Sequence, residues 1–342
     1  MADQTGTTTR AVAVQQALAE APYKFDFFKA LRSLECAYPD KPRFGKAVRL
    51  ADDPIRLAQQ PDMGFAPAAL ASFEPAGDGR VWRLSVLFFG LFGPNGPMPL
   101  HLTEYVRDRV RNHDDNTLMR FADLFHHRLL ELFYRAWADA QPTVSFDRPD
   151  SDRFGDYIGS MFGIGLPGLR NRDSVSDLAK LHFAGHLGCQ THHAEGLGAI
   201  LSHFFRVPVT IEQFVGHWLQ LPEDCRTRLG DSPATGCLGV SATAGDRVWD
   251  CQSKFRIVLG PLDLTDYRRL LPGKTSFTRL VDWVKNYAGD TLIWELNLIL
   301  KKDQVPPLQL GSDTQLGWNT WSTTRPHDHD VDDLVLTPLD YL

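Results

Sequence analysis

The run LSVLFFGLF at residues 84–92, followed by GPNGPMPLHLTEY at 93–105, decides how the chain is read. Its first part is a continuous apolar run of strand length, too uniform to leave one face in water. The second part is a stiff corner. Pro94 presets φ, and Asn95 and Gly96 tolerate the left-handed conformation that closes a turn. Pro97 and Pro99 then hold the chain extended until a helix starts near Leu100. A buried strand, a rigid turn and a helix make a structural joint, with nothing of a reaction centre in it.

Outward from this joint, helical and strand periods alternate with breaks. Residues 11–21 read as a short helix stopped by Pro22, with 1–10 disordered. Residues 25–38 carry Phe27, Leu31, Leu34 and Tyr38 on one stripe, widened by Phe28. Short strands are expected at 48–50, 55–57 and 70–73, and the buried strand at 81–89. After a polar break, Asn116 is the expected cap of a long helix over 117–140 that Pro142 ends. On it Leu118, Phe121, Ala122, Phe125, Leu129, Leu132, Phe133 and Ala136 share a face, an arc wide enough to predict enclosure on two sides. His127 falls on the polar side. His126 falls near Phe133 and Trp137, as a hydrogen-bonded boundary residue.

The charged run 147–153, then Gly155, Gly159, Gly163, Gly165, Pro167 and Gly168, reads as a linker or exposed loop. Its apolar residues imply a contact surface. Helices follow near 176–187 and 193–205, a strand in 207–215 and a loop over 222–246. Phe255, Ile257 and Leu259 alternate as in a half-buried strand. Residues 264–271 and 275–288 are helical. Leu292, Trp294, Leu296, Leu298 and Leu300 keep strict period two, the clearest strand; 316–321 adds an edge strand. The expected class is therefore α+β. A mostly helical N-terminal part (25–145) contains the buried strand–turn–helix joint and follows a disordered or weakly helical stretch (1–24). A Gly/Pro-rich linker or extended loop (146–174), a mixed α+β half (175–322) and an acidic tail (323–342) complete the chain.

Composition narrows the function classes. The 342 residues hold 36 Lys plus Arg against 42 Asp plus Glu, a formal charge of −6, which argues against nucleic acid as main partner. No apolar run approaches the ~20 residues needed to cross a bilayer, so direct membrane insertion is not expected. Residues 1–9 lack an apolar signal segment. Five cysteines without paired spacing suit a reducing cytoplasm. The 21 Phe and 8 Trp are a surplus that serves either a core or a permanent interface.

Catalytic signatures are weak. His182 and His186, four apart with Glu195 beyond, have the spacing of a zinc pair on a helix. However, no HExxH is present, and Gly188 breaks the helix before His192 and His193, so structural or surface histidines are the favoured reading over a metal-dependent enzyme. No nucleophile elbow, P-loop or dinucleotide fingerprint occurs, and prolines remove N–H donors from the 93–97 turn. The tail from His327 to Asp333 reads as a solvated terminus or a weak cation attractor. Neither an active site nor a cofactor is expected.

The blocks FFGLFGPNGPMPLHLTEYVRDR (88–109) and RFADLFHHRLLELFYRAW (120–137) resemble the TssG family, as do AEGL (194–197), FVGHW (214–218), WDCQSKFRI (249–257), VPPL (305–308) and LGW (316–318). The resemblance spans about 25–322. It implies a cytoplasmic, non-enzymatic baseplate component of the type VI secretion system. In that family one TssG joins a TssF pair into a wedge with TssE attached, projects loops to TssK trimers, and lies around the VgrG hub beneath the sheath and tube. On this resemblance the helices 25–38 and 117–140 are expected to join the TssF contact through Phe27, Phe28, Leu31, Phe121, Phe125, Leu129 and Phe133. The 150–170 segment is expected to face TssK through Phe154, Tyr157, Met161, Phe162 and Leu166, with a second extension in 222–246 or 303–330. A free-standing peptide- or glycan-binding module is the remaining class.

Overall fold

The structure, a computed structural model, describes residues 4–76, 81–228, 230, 233–308, 315–322 and 328–341. It divides into two compact units, Met1–Gly155 and Asp156–Leu342.

In the first unit, α1 (Gln4–Glu20) and α2 (Phe27–Ala37) precede a sheet of β1 (Ile55–Gln59), β2 (Leu70–Ala76) and β3 (Val81–Val86). Then come α3 (Leu100–Asn112), α4 (Thr117–Ala138), α5 (Pro142–Phe146) and the start of α6 (Arg153–Met161). Asp26 starts α2 by accepting the N–H groups of Phe28 at 3.0 Å and Lys29 at 3.3 Å. The sheet order is β1-β3-β2, with β1 parallel and β2 antiparallel to β3. Ile55, Leu57, Leu84 and Val86 pack with Phe27, Leu31, Leu34 and Leu18 in one core. That anchorage of Leu18 explains why α1 starts at Gln4 rather than at residue 11: a fixed C-terminal turn propagates a helix backwards at little cost.

The strand at the joint is shorter than its apolar run. It ends at Val86, where Leu87 N donates to Ala69 O and Gln60 N to Val86 O. No strand continues alongside, and Phe88 is 40% exposed. The corner turns on positive φ at Gly90 and Gly93, not at Asn95 and Gly96, and Gly96 N donates to Gly93 O at 3.1 Å. Side chains hold the rest of the loop. The Gln59 amide accepts Phe92 N–H at 2.9 Å and donates to Phe92 O at 2.7 Å, and Thr103 Oγ1 accepts Gly93 N–H. A Cβ on Gly90 would lie 2.2 Å from Gln59 Oε1, so only glycine fits. Residues 48–50 form no strand; Val48 is solvent-facing ahead of a single 3₁₀ turn, with no partner strand beside it.

The 146–174 stretch is not a free linker. Asp147 pairs with Arg32 at 2.5 Å, and Arg148 donates to the carbonyls of Glu35, Tyr38 and Lys41, closing the C-terminal end of α2. Pro142 opens α5 instead of ending α4, which stops at Ala138.

The second unit contains α7 (Asp177–His182), α8 (Ala184–Leu187), α9 (Ala194–Phe205), α10 (Pro233–Gly236), α11 (Leu264–Arg269) and α12 (Thr275–Ala288). Its four-stranded sheet has β4 (Val209–Glu212), β7 (Lys254–Leu262), β8 (Ile293–Leu300) and β9 (Val331–Leu336) in that order. Strands β7 and β8 run parallel, and α11 and α12 supply the crossover that parallel strands require. Trp283, Leu280 and Phe277 of α12 and Ile200 of α9 pack against Ile257, Leu259 and Leu296. A separate hairpin pairs β5 (His217–Gln220) with β6 (Arg247–Asp250). The edge strand expected at 316–321 is reduced to one bridge, Pro307 with Trp321. The edge is taken by β9, from the stretch read as a solvated acidic tail, because Val331 and Leu336 find cover and Asn297 Nδ2 donates to Asp332 O and Leu334 O. His327 and the ranges 309–314 and 323–327 lie outside the described residues.

Candidate interaction surface

Helix α4 decides the site. The apolar arc predicted to be enclosed is open along most of its length. Leu118, Phe121, Phe125, Leu129, Leu132 and Phe133 are exposed, as is Leu124 on its flank, with Phe121 at 58% and Leu124 at 59%. Of its large residues none is buried, whereas Ala122 turns inward. Phe121 and Phe125 meet edge to face at 5.6 Å. The face turned inward is mixed, comprising Met119, Ala122, Leu130 and Tyr134 with the polar His126, His127 and Glu131, the last three 0–4% exposed.

The inward polar groups have a backbone reason. Strand β1 is an edge strand, and its outward N–H groups need acceptors. His127 Nδ1 accepts Leu57 N–H at 3.0 Å and Asp123 Oδ1 accepts Gln59 N–H at 3.2 Å. His126 Nε2 accepts Leu91 N–H at 3.0 Å, fixing the joint to the same helix. A helix lying along a strand edge must present acceptors there, and this one does. His127 is thus a sheet cap, not the surface residue its wheel position implied. The helix start differs too: Asn116 makes no side-chain cap, and Asp115 Oδ1 accepts Thr117 N–H instead. Thr117, then Arg109, hold the Asp115 carboxyl down at about 2.

Asp53, His127 and Glu131 are, among the described residues, the group of His, Cys, Asp and Glu whose ligand atoms lie within 4.8 Å of one another. The donor set does not fit a metal ion. Leu57 N–H at Nδ1 leaves the imidazole hydrogen on Nε2, which faces Asp53 Oδ2 at 3.1 Å and Glu131 Oε1 at 3.5 Å. An ion on Nε2 would force a hydrogen onto Nδ1, against Leu57 N–H. Burial pushes the Asp53 and Glu131 carboxyls up and the His127 imidazole down. Asp53 Oδ1 and Glu131 Oε1 are buried without a hydrogen-bond donor, and a proton shared between these two carboxyls would supply it.

The model of the family described as "Type VI secretion, TssG" matches residues 21–323. The chain belongs to the TssG family. Two solved structures share its fold. A chain of a structure described as the baseplate complex from the type VI secretion system aligns at TM-score 0.64 and 19% identity, covering 96% of this chain and 94% of that one. A chain of the TssK-TssF-TssG baseplate subcomplex, determined by cryo-electron microscopy, aligns at TM-score 0.50 and 19% identity, covering 59% of this chain and 86% of that one. No curated protein matches.

In this TssG-family chain the residues expected at partner contacts divide. Phe27 and Leu31 belong to the chain's own core, because α2 packs its stripe on the sheet. Phe28 is half-buried and stacks on Trp137 at 4.7 Å. Phe121, Phe125, Leu129 and Phe133 lie on the open arc, where Phe133 also touches Phe89 at 5.1 Å. Phe154, Tyr157, Met161 and Leu166 are exposed, the first three at helical spacing on α6, while Phe162 is half-buried. His182 stacks on His203 at 5.0 Å, and His182, His186 and Glu195 do not converge on a common point. Sequence reading missed the β5–β6 hairpin, where exposed Trp218 and Trp249 face each other at 5.4 Å. Its signal was two short apolar runs flanking the Gly- and Pro-containing 222–246 stretch. Among the described residues no helix is long and apolar enough to cross a membrane.

Proposed function

We propose that this chain is a structural subunit of the type VI secretion baseplate, working by permanent subunit contact and without catalysis. The observation that carries the reading is the open apolar arc of α4. A patch of seven large apolar side chains on one helix marks an interface and is a liability in a solitary protein. The likeness to chains of baseplate complexes supports the same reading. In it the α4 arc is covered by TssF, with Phe121 and Phe125 as aromatic anchors. Phe154, Tyr157, Met161 and Leu166 form a TssK-facing patch, and the β5–β6 hairpin with its 222–246 loop forms the second. Contacts with TssE, the VgrG hub and the sheath and tube, and assembly on the cytoplasmic side, complete the role.

Co-expression with TssF and TssK tests it. Phe121→Glu with Phe125→Glu, both on exposed positions, is expected to abolish TssF co-purification and leave the circular dichroism spectrum unchanged. Tyr157→Glu with Met161→Glu is expected to lose TssK and keep TssF. Full retention of TssF by the first variant, or an isolated wild-type chain that stays monomeric and ignores TssF, overturns the reading.

A further inference from the structure

The face of the first sheet opposite its core carries an unbalanced row of charge. Arg56 and Arg83 are register partners across β1 and β3, and Glu74 of β2 lies opposite Arg83 on the other side. Like charges directly opposite on neighbouring strands repel. Beside this row is a groove of about 290 Å³, bounded by the sheet, α3 and the first turn of α4. Its charged lining is Arg83, Arg107, Arg111 and Arg120 against the single carboxylate of Glu74. Arg120 reaches Asp123 at 3.0 Å and Arg107 reaches Asp62 loosely at 3.8 Å. Arg83 and Arg111 have no ion pair among the described residues.

We propose that this groove is a docking site for an acidic segment of a partner protein, whose carboxylates are taken by Arg83 at its floor and Arg111 at its rim. Three observations argue for that occupant. Arg83 is half-buried, and burial, then Arg120 nearby, disfavours its charge more than Asp123 and Glu74 restore it. An incoming carboxylate removes that imbalance through a forked, charge-assisted contact. The start of α4, contributing Asn116, Met119 and Arg120 to the lining, adds the positive end of a 22-residue helix. Finally, Ser72 and Ser85 on the floor offer neutral hydrogen bonds suited to a peptide. A nucleic-acid backbone suits it less, because the chain carries −6 overall and the groove is a short pocket, not a basic track. The assignment does not depend on what covers the α4 arc, so it stands or falls separately from the TssF contact.

Fluorescence anisotropy of a dye-labelled octaglutamate peptide with the full chain at low salt is the test. Wild type is expected to bind, with affinity falling as salt rises. Arg111→Gln is expected to weaken binding about tenfold, and Arg83→Gln with Arg111→Gln further, the loss of one and two charge-assisted contacts. Arg49→Gln, an exposed control with the same charge change, is expected to bind as wild type does. Thermal melts identify any variant that fails to fold, and Arg111 is exposed, so that variant alone decides the matter if Arg83→Gln unfolds. Absence of peptide binding, equal binding by Arg111→Gln, or tighter groove-dependent binding of inorganic phosphate or a single-stranded oligonucleotide overturns the proposal.

Discussion

Helices α12 and α4 are both amphipathic, and they dispose of their apolar side chains in opposite ways. In α12, Phe277, Leu280, Val281, Trp283, Val284 and Tyr287 are all buried in the second unit's core. In α4 the corresponding stripe is left open while histidines and a glutamate turn inward. The neighbours account for the contrast. Helix α12 covers a sheet face, whose side chains are apolar and demand apolar cover. Helix α4 runs along a strand edge, whose N–H groups demand acceptors. An apolar stripe therefore states what a helix must hide from water, and its surroundings state whether this chain or another provides the cover.

Substitutions on the two helices put that contrast at risk, beginning with the largest effect. Trp283→Ala, at a position with no exposure, is expected to destabilise the second unit by about 3–5 kcal/mol in denaturant unfolding. His127→Leu keeps volume yet strands Leu57 N–H and Asp53 and is expected to cost roughly 1–3 kcal/mol, although it makes α4 more apolar. A gain in stability there would show that the strand edge does not govern the helix. Gly90→Ala, forced against the Gln59 amide at φ +147°, is expected to cost about 1–3 kcal/mol and to expose the joint to proteolysis.

Smaller and pH-dependent is Glu131→Gln. The Glu131 carboxyl is raised in the folded protein, so the folded chain keeps a proton that the unfolded chain releases. The stability it contributes is full below the ordinary carboxylate range and lost as pH rises through the folded value. Unfolding curves are therefore expected to show Glu131→Gln gaining on wild type as pH rises above the ordinary carboxylate range. His127, pushed down by burial, acts in the other direction, lowering stability as pH falls below its ordinary range, in both proteins. Least of all, Phe121→Ser is expected to change the stability of the isolated chain by no more than about 0.5 kcal/mol. A loss near that of Trp283→Ala would mean the arc is covered within the chain.

Legibility followed the range of the interactions involved. The period of β7, of β8 and of α12 depends on neighbours along the chain and on one uniform environment; β8 and α12 were readable to within a residue, and β7 up to Leu259, three residues short of its end. The exposed side chains of α6 were readable as apolar residues on the surface but not as a helix, since the glycines masked the spacing of Phe154, Tyr157 and Met161. Residues Phe27 and Leu31 could not be told from docking residues, because a stripe that faces a sheet and one that faces a partner have the same pattern. The tail strand β9 was hidden by its aspartates, which alternate outward from an edge that only the assembled sheet supplies.

By itself the sequence determined the α+β class and the surplus of aromatic side chains, because both are written in local spacing and composition, while its motif blocks carried the resemblance that the family match bears out. Only the tertiary structure decided which side of α4 faces inward. That choice rests on hydrogen bonds from Leu57 and Gln59 to side chains 70 and 64 residues away. Where a strand edge lies depends on how the whole sheet pairs, and no window of neighbouring residues carries that information.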